Sequence, residues 1–425
     1  MTRAWVMIVA PNKTAALETL ADLRHASHVS GIPVQYISDK NQIFSRSPSR
    51  IIRVVSARTL LQAFPTRLPD VLDLRLVVCE GLEQLDPPYE LALSLLRLAT
   101  QSSETRFVYV SASLNDSSDL EKWLGVGNLG ATSFRPKDRD QSLTTLHQTF
   151  SIPYSASLLK AMVKPAHRAI HKAGPGSSVL IFVPSRSQSR SIAQDVITQC
   201  TLEFETARGY VHEVVSNDVL NDYANRFRDT SLVEFAVKGV GFFHPGLDKQ
   251  DRTLMLEMFA EGILRVLVVP KDSCWSVPVR ASVVIVMGTQ YVQMEDQGVA
   301  RQIKDYTLPD LVRMQSRAIQ QSGHGRCHLF SQSETLETYS RFLDEGLPLE
   351  SQLHESYTLR DWINSFFAYH LDRGRIMDIL SFTFLAQRLN GNPSYYGFTS
   401  HNLEENLSIL VDKLIDNLTT MREGA

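Results

Sequence analysis

The search for chemistry starts at a thiol and a carboxylate. Val77-Val78-Cys79-Glu80-Gly81-Leu82-Glu83 ends a β-rich run. A carboxylate at such a strand end is where nucleotide enzymes hold Mg2+. Cys79 stands where an Asp would be needed, and a neutral thiol does not hold a hard, oxygen-seeking cation. Glu80 keeps the chemistry of a general base, but the plainer reading is a loop carboxylate. No G-x-x-x-x-G-K-[ST] phosphate loop occurs in the chain. Gly174-Pro175-Gly176 lacks the lysine, and its proline removes a backbone donor.

Other constellations are weaker. Ser111-Ala112-Ser113 follows another strand; its hydroxyls suit a hydrogen-bond relay or an ordinary helix cap. In Gly239-Val240-Gly241-Phe242-Phe243-His244-Pro245-Gly246-Leu247 the glycines permit close backbone approach. His244 there either faces a phosphate backbone or is a turn histidine between aromatics. His324-Gly325-Arg326-Cys327-His328 lacks a second ligand pair for a metal and reads as the entry to a β-hairpin. No Ser-His-Asp arrangement can be read from spacing.

The elements that would position these groups alternate. Trp5–Val9, Ile51–Ser56, Leu74–Cys79, Arg106–Ser111, Val179–Pro184, Arg265–Pro270 and Val283–Met287 are near-continuous in Val and Ile, as in strands buried on both faces of a parallel sheet. Tyr89–Ala99, with Pro87-Pro88 in its first turn, and Asp251–Ala260 carry helical spacing. This predicts an α/β fold with parallel sheets. The polar run Arg135–Asp140 marks a first break, and Gln141–Pro153 is expected to connect two lobes. After about Leu343 the strand pattern stops, and Asp361–Leu389 and Asn402–Leu418 read as helices.

Composition narrows the function classes. In 425 residues, 43% are hydrophobic and 21% charged, which excludes a globally disordered chain. Lys+Arg 43 against Asp+Glu 46 gives a net charge of −3, so no global basic field holds nucleic acid. Cys79, Cys200, Cys274 and Cys327 are scattered, without a CxxC pair, and read as reduced thiols. Neither a membrane span nor a targeting signal is read, which points to the cytosol or nucleus.

Several runs, in order, carry a resemblance: Ile181-Phe182-Val183-Pro184-Ser185-Arg186, the Gly239–Leu247 segment, Val286-Met287-Gly288-Thr289-Gln290-Tyr291, Phe342–Ser351, and Phe382–Leu389 through Asn392-Pro393-Ser394-Tyr395-Tyr396. Together they resemble the large tandem-cassette superfamily 2 RNA helicases of the spliceosome, and more narrowly the C-terminal cassette of the fungal forms. The resemblance implies two RecA-like lobes, 1–145 (N-terminally incomplete) and 146–345, then a small winged-helix domain, 346–425. It aligns Ala10-Pro11 with motif Ia, Cys79–Leu82 with motif II and Ser111–Ser113 with motif III. Val183–Arg186 falls at motif IV, His244-Pro245-Gly246 at the motif after it, Ser273–Pro278 at motif V and Arg313–Gln320 at motif VI. Implied nucleic-acid-facing residues are Pro11, Asn12, Ser185, Arg186, His244 and Gly246; Ser111 and Ser113 are implied interlobe relays.

The departures from the family pattern are specific. Motif I and its strand would lie before Met1. Motif II has Cys79 for Asp and Leu82 for His, and motif V has Ser276 for Gly and Pro278 for a polar residue. Motif VI has Arg313 for Gln and Gln320 for the outer arginine, with Arg317 retained. Cys79, Glu80, Arg317 and Gln320 are therefore expected to be vestigial, with no metal and no cofactor. The expected role is a catalytically inactive cassette in the nucleus. It would bind protein partners, namely an active helicase cassette and spliceosomal factors, with RNA as a further partner and no membrane. One alternative is an ATP-dependent RNA helicase, using ATP and Mg2+, whose motif I lies in sequence upstream. The other is an RNA-binding adaptor that works without ATP.

Overall fold

The computed structural model describes residues 4–46, 49–64, 71, 73–127, 130–138, 142–204, 208–294, 301–319, 323–366 and 372–423. The chain is α/β and forms two compact units, Met1–Pro136 with Glu345–Ala425, and Lys137–Asp344.

The first unit begins with β1 (Trp5–Ala10), α1 (Lys13–Ser30), β2 (Val34–Tyr36), β3 (Ile52–Ser56), α2 (Ala57–Gln62), β4 (Leu74–Cys79), α3 (Pro87–Ala99), β5 (Arg106–Tyr109) and α4 (Ser118–Leu124). Its five strands are parallel, in the order β2-β3-β1-β4-β5. Apolar β1 lies at the centre, with Met7 and Val9 fully buried. Helix α3 starts where expected. Asp86 caps it by accepting from the Tyr89 N–H at 2.9 Å, and the two prolines occupy the first turn, where missing donors cost nothing. Its Tyr89 hydroxyl donates to the Glu80 carbonyl at 2.8 Å and so ties α3 to the end of β4.

The second unit runs β6 (Ser142–Phe150), α5 (Ala156–Lys172), β7 (Val179–Val183), α6 (Arg186–Phe204), α7 (Asn217–Ala224), α8 (Thr230–Ala236), β8 (Val240–Phe242), α9 (Lys249–Ala260), β9 (Val266–Pro270), β10 (Val283–Met287), β11 (Gln290–Met294), β12 (Arg301–Asp305), α10 (Leu308–Ser316), β13 (His324–Gln332) and α11 (Leu336–Glu345). Six strands form a parallel sheet in the order β6-β13-β10-β7-β9-β8, and β11-β12 is a separate antiparallel ribbon.

Two expectations are corrected here. The stretch 141–153 is not a plain connector, because Ser142–Phe150 is the edge strand β6, paired in register with β13. The alternation follows from the face of the sheet that β6 leaves open to solvent, since side chains point to opposite faces in turn. Nor does His324–His328 enter a hairpin; it opens β13, which lies between β10 and β6.

The chain then returns to the first unit with α12 (Tyr357–Phe366), α13 (Arg373–Ser381), α14 (Phe384–Gly391) and α15 (Leu403–Glu423). Side-chain caps at Asp372 and Thr383 start α13 and α14. Helix α15 buries Leu407, Leu410, Val411, Leu414 and Leu418 on one stripe. The return is anchored by a short parallel bridge. The Leu347 N–H donates to the Ser113 carbonyl at 2.8 Å, and the Asn115 N–H to the Leu347 carbonyl at 2.9 Å. Gly346 enters that bridge at φ +110°, and a Cβ there would sit 2.7 Å from the Leu114 carbonyl carbon. Gly346→Ala is therefore expected to destabilise the first unit by about 1–3 kcal/mol, read as a lower denaturant midpoint in tryptophan fluorescence. An unchanged midpoint would mean the bridge is not required.

Among the described residues, no helix is long and apolar enough to cross a membrane.

Candidate functional site

Parallel α/β sheets gather their loops at the carboxyl ends of the strands. In the first unit the loops after β1, β4 and β5 meet there. Asn12 caps α1: its Oδ1 accepts from the Thr14 and Ala15 N–H groups at 3.0 Å, and its Nδ2 donates to Gln84 Oε1 at 3.4 Å. Pro11 lies against Gly81, whose φ of +66° suits glycine; a Cβ there would be 3.2 Å from the proline ring. Thr19 Oγ1 donates to Glu80 Oε2, and the Glu80 N–H to the Val9 carbonyl. Glu83 accepts from the Ala112 N–H at 2.9 Å and the Ser111 hydroxyl at 3.3 Å. Pro11, Asn12, Cys79, Glu80 and Ser111 thus share one edge. Ser113 lies just beyond; its hydroxyl is buried without a hydrogen-bond partner among the described residues, and its carbonyl serves the Leu347 bridge.

This edge does not fit Mg2+. Cys79 is fully buried, and desolvation pushes its thiol far above the ordinary range, so it stays protonated. The adjacent carboxylate already accepts from Thr19. A protonated thiol and a committed carboxylate are not the oxygen-rich set a hard cation requires. No group of three or more His, Cys, Asp or Glu that could hold a metal occurs among the described residues.

In the second unit, Arg317 is 3% exposed, and its Nη2 donates to the Cys274 carbonyl at 3.2 Å. The Arg313 guanidinium lies 5.0 Å from the centre of the Trp275 ring, and Trp275 Nε1 donates to Asp310 at 2.8 Å. Lys271 sits over the Tyr291 ring at 4.3 Å and pairs with Asp272 at 3.0 Å. The side chains after β9 and on α10 are thus engaged with one another. Gln320 lies outside the described residues.

A separate cluster forms at the start of α6 and the end of β8. Ser185 donates to Gln188 Oε1 at 2.9 Å as α6 begins, and Arg186 is exposed. A Cβ on Gly246 would stand 3.2 Å from His244 Nδ1 and 3.7 Å from an Arg186 terminal nitrogen. Burial lowers the pKa of His244, and the charges of Arg186 and Arg252 lower it further. His244 Nδ1 and Arg252 Nε are buried without a hydrogen-bond partner among the described residues. An unused histidine nitrogen between two guanidiniums, one of which has an unused nitrogen of its own, makes this a candidate anion site. Sequence reasoning reached Arg186 and His244 but missed Arg252, whose only local signal is a basic residue in the first turn of α9. It also missed Glu83, which carries no motif of its own.

No protein-family model matches the chain. Curated proteins do. The chain is 32% identical over 341 residues to the human U5 small nuclear ribonucleoprotein 200 kDa helicase, covering 78% of the chain. The chain is homologous to a segment of the U5 200-kDa helicases. It spans only 16% of the human protein's length. A pre-mRNA-splicing factor of Schizosaccharomyces pombe is 28% identical over 363 residues, 81% of the chain and 16% of that protein. An activating signal cointegrator 1 complex subunit 3-like protein of Dictyostelium discoideum is 32% identical over 347 residues, 78% of the chain and 15% of that protein. The parallel sheets of five and six strands accord with the RecA-like lobes expected of relatives of the 200-kDa helicases.

Proposed function

We propose that this chain acts in pre-mRNA splicing as a catalytically inactive helicase-like cassette, a nuclear module that docks protein partners and regulates an active cassette. In this reading 1–145 and 146–345 are the two lobes, and the helical tail 346–425 serves as the winged-helix domain. Similarity to a U5 200-kDa helicase and to a pre-mRNA-splicing factor supports the splicing role. The observation that carries the inactivity is the buried, protonated Cys79 at the end of β4. Arg317 supports it too: a guanidinium held by the Cys274 carbonyl is committed within its own unit, whereas phosphoryl transfer needs charge aimed at the phosphate. Calorimetric titration with Mg-ATP and Mg-ADP is expected to give no binding up to millimolar nucleotide, and Cys79→Asp no ATP turnover. Micromolar binding, or turnover in that variant, would overturn the inactive reading.

A second reading has an observation of its own. The unsatisfied His244 and Arg252 nitrogens beside Arg186 favour an ATP-independent contact with an RNA phosphate. Arg186→Ala with Arg252→Ala is expected to weaken RNA binding about evenly across sequences, measured by fluorescence anisotropy. Unchanged affinity would remove this reading.

A further inference from the structure

Helix α5 contains no acidic residue, and its outward face repeats a cation at every fourth position: Lys160, Lys164, Arg168 and Lys172, all exposed. At helical rise these lie about 6 Å apart, a line of charge about 18 Å long. None of the four has an ion-pair partner among the described residues.

The neighbouring sheet face extends it. Register pairs His324 with Ser142, Arg326 with Thr144 and His328 with Leu146, so the period-two pleat puts all six on one face. Arg326 is exposed. The His324 ring bonds to Thr144 Oγ1 at 2.9 Å and to the Ser142 hydroxyl. Helix α5 ends at Lys172, a short loop before Ser178, and the amino ends of the strands are laced side by side there: the Val283 N–H donates to the Ser178 carbonyl at 3.1 Å and the Arg326 N–H to the Ser282 carbonyl at 3.0 Å. Burial lowers the His328 pKa, and the charges of Arg326 and Lys172 lower it further. Helix α5 ends and β13 begins at the amino ends of the strands. The Lys172–Arg326 end of this surface is therefore at the opposite edge of the sheet from Arg186 and His244, and the stripe runs from there along α5 back towards Lys160.

We propose that the Lys160–Lys172 stripe, continued by Arg326, is a docking surface for the phosphate backbone of RNA and reads no sequence. Phosphate contacts need only cations and hydroxyls, and Ser142 and Thr144 supply the hydroxyls beside Arg326. A protein partner would need apolar or aromatic anchors at the centre of the contact. The stripe offers none, and Leu146 is the exposed large apolar residue of the paired face, at 44%. The absence of aromatics among the stripe positions also argues against base stacking. The proposal goes beyond the splicing role above, which assigns no RNA to this face.

The test is fluorescence anisotropy of a short labelled RNA duplex with the full chain, over salt from about 50 to 200 mM. The variant K164E/R168E/K172E is expected to bind about tenfold or more weakly, and its log–log salt slope to fall in magnitude by about 2–3. All three positions are exposed, and K164Q/R168Q/K172Q, which adds no charge, is expected to show the same change in slope with a smaller loss. Affinity and slope equal to the unaltered chain in both variants would overturn the proposal. So would tighter binding of a labelled polyglutamate peptide than of the duplex, which would assign the stripe to an acidic protein. Loss of RNA binding only in R186A/R252A would place the RNA contact at the carboxyl edge instead. The nucleotide titration is independent of all three outcomes, so failure here leaves the splicing reading where it stands.

Discussion

Arg388→Ala is expected to lower the unfolding free energy of the first unit by about 3–5 kcal/mol, the usual cost of removing one partner from a buried charge network. Arg388 on α14 grips Glu350 with two parallel bonds, Nε to Oε2 at 2.8 Å and Nη2 to Oε1 at 2.5 Å, while its Nη1 donates to Asp119 on α4. The three side chains are only 16–21% exposed. Alanine would leave two carboxylates close together in a poorly hydrated site. Glu350 would keep the Asn392 amide at 3.1 Å and the Tyr396 hydroxyl at 2.8 Å, but neither carries a compensating charge. Burial alone would raise the Glu350 pKa, yet hydrogen bonds from Arg388, Asn392 and Tyr396 more than offset it and the carboxyl titrates low. A depressed folded pKa contributes stability that is present above the unfolded value and lost as pH falls through the folded one. The deficit of Arg388→Ala should therefore be full at neutral pH and shrink in acid. Arg388→Lys keeps the charge and loses the fork, so it should recover part of the deficit. Urea unfolding followed by tryptophan fluorescence measures this directly, because Trp5, Trp123 and Trp362 all lie in the first unit. A loss under about 1 kcal/mol would mean the network behaves as a surface pair.

That network shows what the sequence could and could not reveal. Glu350 and Arg388 both fall in runs that carried the family resemblance, yet nothing local says that they meet across 38 positions. The seven Val- and Ile-rich runs became β1, β3, β4, β5, β7, β9 and β10; the pattern is plainest in β7, β9 and β10, where every residue is buried and the strand has to be apolar throughout. The strands that escaped were short or polar. Strands β2 and β8 have three residues each, too few for any periodicity. Strand β6 exposes every second residue, and β13 places His324 and Arg326 on an exposed face, so both looked like loop or turn. At the site, the resemblance singled out Pro11, Asn12, Cys79, Glu80 and Ser111 separately, in different roles; that they lie along one edge is a feature of the fold. Glu83, which joins the β4 and β5 loops, and Arg252, which completes the cluster with Arg186 and His244, are tertiary relations with no pattern along the chain.

Glu90→Gln is expected to stabilise the first unit above neutral pH by about 1–3 kcal/mol and to leave it nearly unchanged near pH 5. Glu90 on α3 is fully buried. Its Oε2 accepts from the Ser351 hydroxyl at 2.6 Å and its Oε1 from the Leu385 N–H at 2.8 Å, so one side chain joins α3 to two places in the helical tail. Burial raises the carboxyl to about 7, although those same donors pull the other way. An acid with a raised folded pKa makes the native state bind more protons than the unfolded chain between the two pKa values. Its contribution is thus full below the unfolded value, near 4.5, and is lost as pH rises towards 7, after which stability levels off. Glutamine removes that titration. Its carbonyl can still accept from the Leu385 N–H, and its amide can donate to the Ser351 hydroxyl, so both bonds survive without a buried charge. Glu90→Ala separates charge from bonding. It deletes the titration but strands the Leu385 N–H and the Ser351 hydroxyl and opens a cavity, so it should destabilise at every pH. Denaturant midpoints from about pH 5 to 8 distinguish the two: a flat profile for glutamine, a falling one for the unaltered chain, and a low, flat one for alanine. If the glutamine profile falls as steeply as that of the unaltered chain, Glu90 is not the group that sets the pH dependence of this unit. The same acid would then be no more than a hydrogen-bond acceptor between α3 and the tail.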